Sequence, residues 1–103
     1  MSNKYKDALK ILFEKADIGQ LTIRLPSSEE LIFNGDIDGP KCDMIIHDWR
    51  IMGMLTKRGD IGLGEAYHLG FWDSSDVPDF LTYCSLNLSS IKNKGQASFF
   101  NKI

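Results

Sequence analysis

The sequence predicts a single α+β domain in which helices pack against a small antiparallel sheet. Three observations lead to this prediction. The chain has 103 residues, which is enough for one modest core and too short for two domains. Apolar residues follow a helical period over residues 5–16, alternate with polar ones over residues 20–25, and return to helical spacing over residues 49–88. We therefore assign residues 1–88 to the domain and predict that residues 89–103 form a basic, flexible tail.

The first predicted element is an amphipathic helix over residues 5–16. Its apolar residues recur three, four, seven and eight positions apart and so share one face of a helix. They are Tyr5, Ala8, Leu9, Leu12, Phe13 and Ala16. Asp17, Ile18 and Gly19 follow, and the glycine predicts that the helix ends before it.

Three short strands come next. Apolar and polar residues alternate over residues 20–25, which is the period of a half-buried strand. Turn-forming residues at 26–29 lead to a returning strand over residues 30–34. A loop over residues 36–41 and a third strand over residues 42–47 then complete a predicted antiparallel meander.

The second half of the sequence is predicted to be helical. A short amphipathic helix covers residues 49–57 with Asp48 as its N-cap, and Gly59 ends it. A further helical segment spans residues 63–69, and the final helix begins after Asp76 as N-cap. The predicted buried stripe of that last helix consists of Val77, Phe80, Leu81, Cys84 and Leu88.

Composition and charge exclude several classes of protein. The formal net charge is −2, from 12 basic and 14 acidic residues, so the chain lacks the concentrated excess of Lys and Arg that binds nucleic acid. No stretch approaches the roughly 20 apolar residues of a membrane span. The first residues lack the apolar core of a signal peptide, so we expect a cytoplasmic protein. Cys42 and Cys84 fit reduced core thiols better than a disulfide framework.

A glycine-rich block at residues 59–73 does not fit a nucleotide site. It reads Gly-Asp-Ile-Gly-Leu-Gly-Glu-Ala-Tyr-His-Leu-Gly-Phe-Trp-Asp. A dinucleotide fingerprint follows a parallel strand, whereas a predicted helix precedes this block, and the Gly-Lys-Ser/Thr of a phosphate-binding loop is missing. His47 and His68 lack a recognisable nucleophile or a complete set of metal ligands. The residues therefore predict no catalytic site, no cofactor and no metal.

The same block resembles the N-terminal region of the cyclopropane-fatty-acyl-phospholipid synthases and related S-adenosylmethionine-dependent lipid methyltransferases. In that family the pattern Gly-Asp-x-Gly-Leu-Gly-Glu-Ala-Tyr-x-x-Gly-x-Trp lies upstream of the catalytic domain. The resemblance covers roughly residues 5–87, including a Gly-x-Leu-x-Ile strand at residues 19–23 and Ile-x-Asp at residues 46–48. The sequence departs from the family at residues 68–69, where the family has Met-Asp, and at the turn over residues 26–29, where the family has a glycine.

The larger departure from the family is that the catalytic domain has no counterpart in these 103 residues. The resemblance therefore implies a stand-alone accessory domain without enzymatic activity of its own. It also implies a fold similar to that of sterol carrier proteins, with helices on a small sheet and an apolar cavity. Such a domain would bind phospholipid or fatty acyl chains and present them to a separate methyltransferase chain, with peripheral contact at the inner face of a membrane.

The candidate lipid-binding or docking residues lie in and around the glycine-rich block. Gly62 and Gly64 permit a tight turn and close approach of the backbone to a neighbour. Lys57 and Arg58 are candidates for contact with a headgroup phosphate at the amides of the helix that follows, although Glu65 can satisfy those amides itself. The candidates for an acyl-chain pocket or docking face are Met52, Leu55, Tyr67, Phe71 and Trp72. Aromatic and methionine side chains also suit an ordinary core.

The sequence leaves a second function open. Under this alternative, the chain is a protein–protein docking module without a lipid site, which binds a separately encoded catalytic chain or dimerises. Such a module presents an apolar face that isolated monomers rarely tolerate. A folded remnant without function and an independent small enzyme are two further, weaker alternatives.

Overall fold

The computed structural model describes residues 4–92, with side chains described as far as residue 90. In chain order its elements are α1 (Lys4–Phe13), β1 (Ile18–Arg24), β2 (Glu30–Asn34), β3 (Ile37–Ile46), α2 (Arg50–His68), β4 (Trp72–Asp73), α3 (Val77–Leu86) and α4 (Leu88–Lys92). The predicted α+β class is confirmed. The short helix α4 covers the start of the predicted tail, and residues 93–103 of that tail lie outside the described residues.

The sheet is mixed rather than antiparallel, with strand order β2-β1-β3-β4. Strand β1 pairs antiparallel with β2 but parallel with β3. The predicted meander is wrong because the chain leaving β2 does not fold back onto that strand. Instead, the amide of Gly35 donates to the carbonyl of Gly19, and that of Ile37 donates to the carbonyl of Asp17, both over 2.9 Å. These contacts carry the chain across the start of β1 to its other side.

Close backbone contacts at two glycines make this crossing possible. A Cβ at Gly35 would lie 2.2 Å from the carbonyl oxygen of Asp17, and one at Gly19 would lie 2.4 Å from that of Pro40. Gly19 also has a φ of 83°, which favours glycine. Residues 37–41 of the predicted loop therefore belong to β3, where Lys41 pairs with Gln20.

The buried residues of β1 and β3 lie on one face of the sheet and form a single core with the helices. Leu21 and Ile23 of β1 and Met44 of β3 belong to this core, together with Leu9 of α1 and Phe80 of α3. The strands' alternate residues point to the opposite face, where Thr22 is in register with Ile32 and Asp43. The fold therefore has an apolar, helix-covered side and a mostly polar side.

The helices follow the predicted periods with local differences. Helix α1 ends at Phe13, earlier than predicted, although Ala16 beyond it is buried. At the start of α2, Trp49 occupies the N-cap position, and the carboxylate of the predicted cap Asp48 accepts a hydrogen bond from the amide of Arg50. No described helix is long and apolar enough to cross a membrane.

Helix α3 begins as predicted but buries a different residue. The Asp76 side chain accepts a 3.0 Å hydrogen bond from the amide of Asp79, as expected of an N-cap. Leu81 is 46 % exposed, so its predicted place in the buried stripe is wrong. Tyr83 is fully buried instead, because it follows Phe80 by three residues and so faces the same side of the helix.

Candidate functional site

The space at the centre of the core is too small for an acyl chain. It has a volume of about 10 Å³, comparable to the space that one water molecule needs. The predicted site residues Met52 and Leu55 line it, together with Leu9, Phe13, Met44, Ile46, Ile51, Leu63, Phe80 and Cys84. The apolar cavity that the resemblance implies is therefore not found at this position.

Trp72 belongs to the core, and Tyr67 covers it. The indole of Trp72 is 2 % exposed, and its Nε1 donates a 2.9 Å hydrogen bond to the carbonyl of Leu63. The ring centroid of Tyr67 lies 5.2 Å from that of Trp72, while 45 % of Tyr67 remains exposed. Phe71 is half-buried, with the guanidinium of Arg50 4.7 Å from its ring centroid. Of the three predicted aromatic residues, Tyr67 is therefore the one most available to a ligand or partner.

The glycines of the block shape a kinked helix rather than an anion-binding turn. Gly59, with φ of 56° and ψ of −128°, joins two helical halves of α2. A Cβ at Gly62 would lie 2.1 Å from the carbonyl oxygen of Met54, so Gly62 is the predicted point of close approach. Gly64 lies inside the second half, where an added Cβ would meet no atom within 4 Å. The expectation that Gly62 and Gly64 form a turn at the start of a helix is wrong, because the break in helical geometry is at Gly59.

The predicted headgroup residues Lys57 and Arg58 have different neighbours. Arg58 donates to the carboxylate of Glu65 over 3.1 Å, so Glu65 forms an ion pair instead of capping the helix amides. Lys57 lines a surface groove that also contains Met52. The structure thus brings together one predicted cation and one predicted apolar residue.

That groove lies between α1 and the first half of α2 and has a volume of about 390 Å³. It is lined by Lys4, Tyr5, Ala8, Met52, Gly53, Thr56 and Lys57. An added Cβ at Gly53 would meet no atom within 4 Å, so the absence of a side chain there keeps the groove open. The hydroxyl of Thr56 donates to the carbonyl of Met52 over 2.9 Å, which occupies its donor within the helix. We call this feature the α1–α2 groove.

Several residues of the α1–α2 groove were not predicted from the sequence. Lys4 and Ala8 are four residues apart on α1, and Gly53 and Lys57 are four residues apart on α2. Each pair therefore lies on one face of its helix, and that spacing was the available signal. Sequence alone does not show that these two faces meet, because β1, β2 and β3 lie between the two helices in the chain.

A second depression, of about 440 Å³, lies where α2 meets β4. Its lining residues are His47, Tyr67, His68, Gly70, Trp72 and Asp73. No group of three or more His, Cys, Asp or Glu residues within the described part of the chain is placed to hold a metal ion. The depression therefore provides one exposed aromatic ring beside polar groups, and no ready metal centre.

The two cysteines behave as core thiols. Burial, with smaller contributions from neighbouring charges, raises the pKa of both Cys42 and Cys84 to about 12. Because the thiolate is the reactive form of cysteine, neither is a nucleophile near neutral pH.

Comparisons of the chain with models of protein families, with curated proteins and with solved structures find no match.

Proposed function

We propose that this chain is a non-catalytic accessory domain that binds anionic phospholipid in the α1–α2 groove and presents it to a methyltransferase. The observation that carries the proposal is the combination of an apolar groove floor with two lysines. Ala8, Met52 and Gly53 are the apolar lining residues that we call the floor, and Lys4 and Lys57 also line the groove. The resemblance of residues 59–73 to lipid methyltransferases supports the choice of partner.

The chemistry of the groove matches a ligand that is apolar at one end and anionic at the other. An acyl segment removes apolar surface from water when it lies on Ala8, Met52 and Gly53. A lysine ammonium near a membrane surface attracts an anionic headgroup, while its aliphatic stem packs on apolar neighbours. Since the groove is open to the surface, it holds part of one chain while the rest of the lipid stays in its bilayer.

The proposal is tested by co-sedimentation with vesicles of phosphatidylethanolamine and phosphatidylglycerol at low and physiological salt. Gly53→Leu fills the groove with a side chain for which there is space, so we expect at least tenfold weaker binding without loss of stability. Gly64→Leu is the matched control, because Gly64 is also an exposed α2 glycine but lies outside the groove. Equal binding by wild type and Gly53→Leu contradicts the proposal.

The salt dependence separates the two parts of the proposed site. Binding that persists at physiological salt is expected from the apolar floor, since charge interactions at the surface are screened there. Lys57→Gln should weaken binding mainly at low salt, because it removes a charge and keeps the rest of the groove. Binding that disappears completely at physiological salt contradicts acyl contact in the groove.

The second half of α2 favours a protein-docking function as a second candidate. Ile61, Tyr67 and Leu69 are 51 %, 45 % and 58 % exposed, and Gly64 lies between them in sequence without a neighbour for its Cβ. A glycine on an exposed helix face permits close approach of another backbone. If the domain docks through this face of α2, Gly64→Leu, rather than Gly53→Leu, should abolish binding to a methyltransferase chain, as measured by calorimetric titration.

A further inference from the structure

Among the residues that the structure describes, no strand pairs with the outer side of β2, so one set of its backbone hydrogen-bonding groups is left unpaired at the edge of the sheet. The amide of Leu25 donates to the carbonyl of Glu29, and that of Gly35 donates to the carbonyl of Gly19. In an antiparallel pair, alternate residues bond to the neighbouring strand while those between them point away from it. The outward-pointing groups of β2 are therefore those of Glu30, Ile32 and Asn34.

Within residues 4–92, this edge has little of the usual protection against pairing with another strand. Natural edge strands carry lysine, proline or a bulge, or are very short. Strand β2 reads Glu-Leu-Ile-Phe-Asn and pairs with β1 in continuous register, so it has no lysine, proline or bulge, and its one charged residue, Glu30, lies at its end. At the opposite edge, β4 has two residues and pairs only with Ile45 and Ile46 of β3. The rest of β3 carries Pro40 and Lys41, two residue types that protect edge strands. Ile32, at the centre of β2, is 56 % exposed.

We propose that β2 pairs antiparallel with β2 of a second copy of this chain about a two-fold axis at Ile32. In this register Ile32 lies opposite Ile32 of the second copy, and Glu30 lies opposite Asn34. All of these are outward-pointing residues, so each pair exchanges both of its backbone hydrogen bonds. The two sheets become one continuous sheet.

Charge and side-chain placement support a second copy as the occupant. Glu30 meets a neutral asparagine across the interface, and its carboxylate already accepts a 2.9 Å hydrogen bond from Arg24 in its own chain. No like charges therefore face each other across the axis. The two exposed Ile32 side chains contact each other on the polar face of the sheet, which removes both from water.

The proposal is tested by sedimentation equilibrium of the full chain over a wide concentration range. We expect a reversible dimer whose dissociation constant rises at least tenfold in each of two variants. Ile32→Lys places two ammonium groups across the axis. Ile32→Pro removes an outward amide without removing a hydrogen bond to β1, and proline is tolerated at such edge positions. Ile61→Lys, which replaces an equally exposed isoleucine on α2, should leave the dimer unchanged.

Three sedimentation results overturn the proposal: a wild type that stays monomeric, a dimer insensitive to both Ile32 variants, or a dimer weakened equally by Ile61→Lys.

A disulfide cross-link between the two copies then checks the register of the paired strands. Opposed residues in a hydrogen-bonded antiparallel pair have Cα atoms about 5.5 Å apart, within reach of a disulfide. Under mild oxidation Ile32→Cys should form a covalent dimer, and Ile61→Cys should not. A dimer that Ile32→Cys fails to cross-link contradicts the proposed axis.

Discussion

Among single residues, Asn87 joins two distant parts of the chain. Its side chain is 1 % exposed, and it accepts from the amide of Ile18 over 3.0 Å and donates to the carbonyl of Ile18 over 2.8 Å. Asn87→Ala removes the partner of both part-buried backbone groups of Ile18, so we expect a loss of about 2 kcal/mol in the free energy of unfolding. Urea denaturation measures this loss. Ser85→Ala, on the exposed side of α3, is the control and should change stability by less than about 0.5 kcal/mol.

Trp72 is expected to contribute to stability rather than to direct ligand contact. Because the indole is buried, Trp72→Ala should reduce the free energy of unfolding by about 3–5 kcal/mol. Phe71→Ala removes a half-buried ring and its contact with Arg50, and should cost about 1 kcal/mol. Chemical denaturation of both variants distinguishes these roles. A Trp72→Ala protein as stable as wild type, with weaker vesicle binding, would contradict a core role.

Asp43 should make the domain less stable in acid. Burial favours a raised pKa, but hydrogen bonds from Ser75 and Ser74 outweigh it and hold the pKa of Asp43 below its ordinary value of 3.8. The folded state therefore binds the proton less readily than the unfolded state does. The stabilisation is complete above about pH 5 and is lost progressively as the pH falls through and below 3.8. Asp43→Asn should be less stable than wild type at neutral pH, and the difference should shrink in acid titrations of unfolding.

At the scale of elements, the kink in α2 predicts opposite effects for glycines only two positions apart. Gly62→Ala places a methyl group against the Met54 carbonyl and should destabilise the domain by roughly 1–3 kcal/mol. Gly64→Ala fills open space on a helix and should stabilise it by up to about 1 kcal/mol. Thermal and urea unfolding of the two variants check this contrast. Equal effects of both substitutions would show that the two halves of α2 do not meet at Gly62.

The same elements show how far local patterns determine structure. The helical periods, the cap at Asp76 and the break at Gly59 follow from neighbouring residues, and the sequence predicts all three. The direction of β3 does not follow from neighbouring residues, because the alternation of apolar and polar residues is the same in parallel and antiparallel strands. That direction depends on backbone contacts that Gly19 and Gly35 make with distant residues.

At the scale of the whole molecule, the candidate site depends on where separate helices meet. Met52 and Lys57 were predicted from the sequence, but Lys4, Ala8 and Gly53 join them only because α1 packs beside α2. The core cavity was expected from the fold that the resemblance implies and not from particular residues. The apolar side chains of this chain fill that space. Spacing within one helix therefore predicts a face, whereas a groove requires the packing of two.

The contact between Asn87 and Ile18 has a consequence for how the domain opens. The two residues are 69 positions apart, so the hydrogen bond that protects the Ile18 amide from exchange breaks when the start of β1 separates from the residue that caps the end of α3. Its hydrogen-exchange rate therefore reports the opening of this long-range contact. In Asn87→Ala that amide should exchange much faster, and nuclear magnetic resonance can follow it as a single probe of that opening.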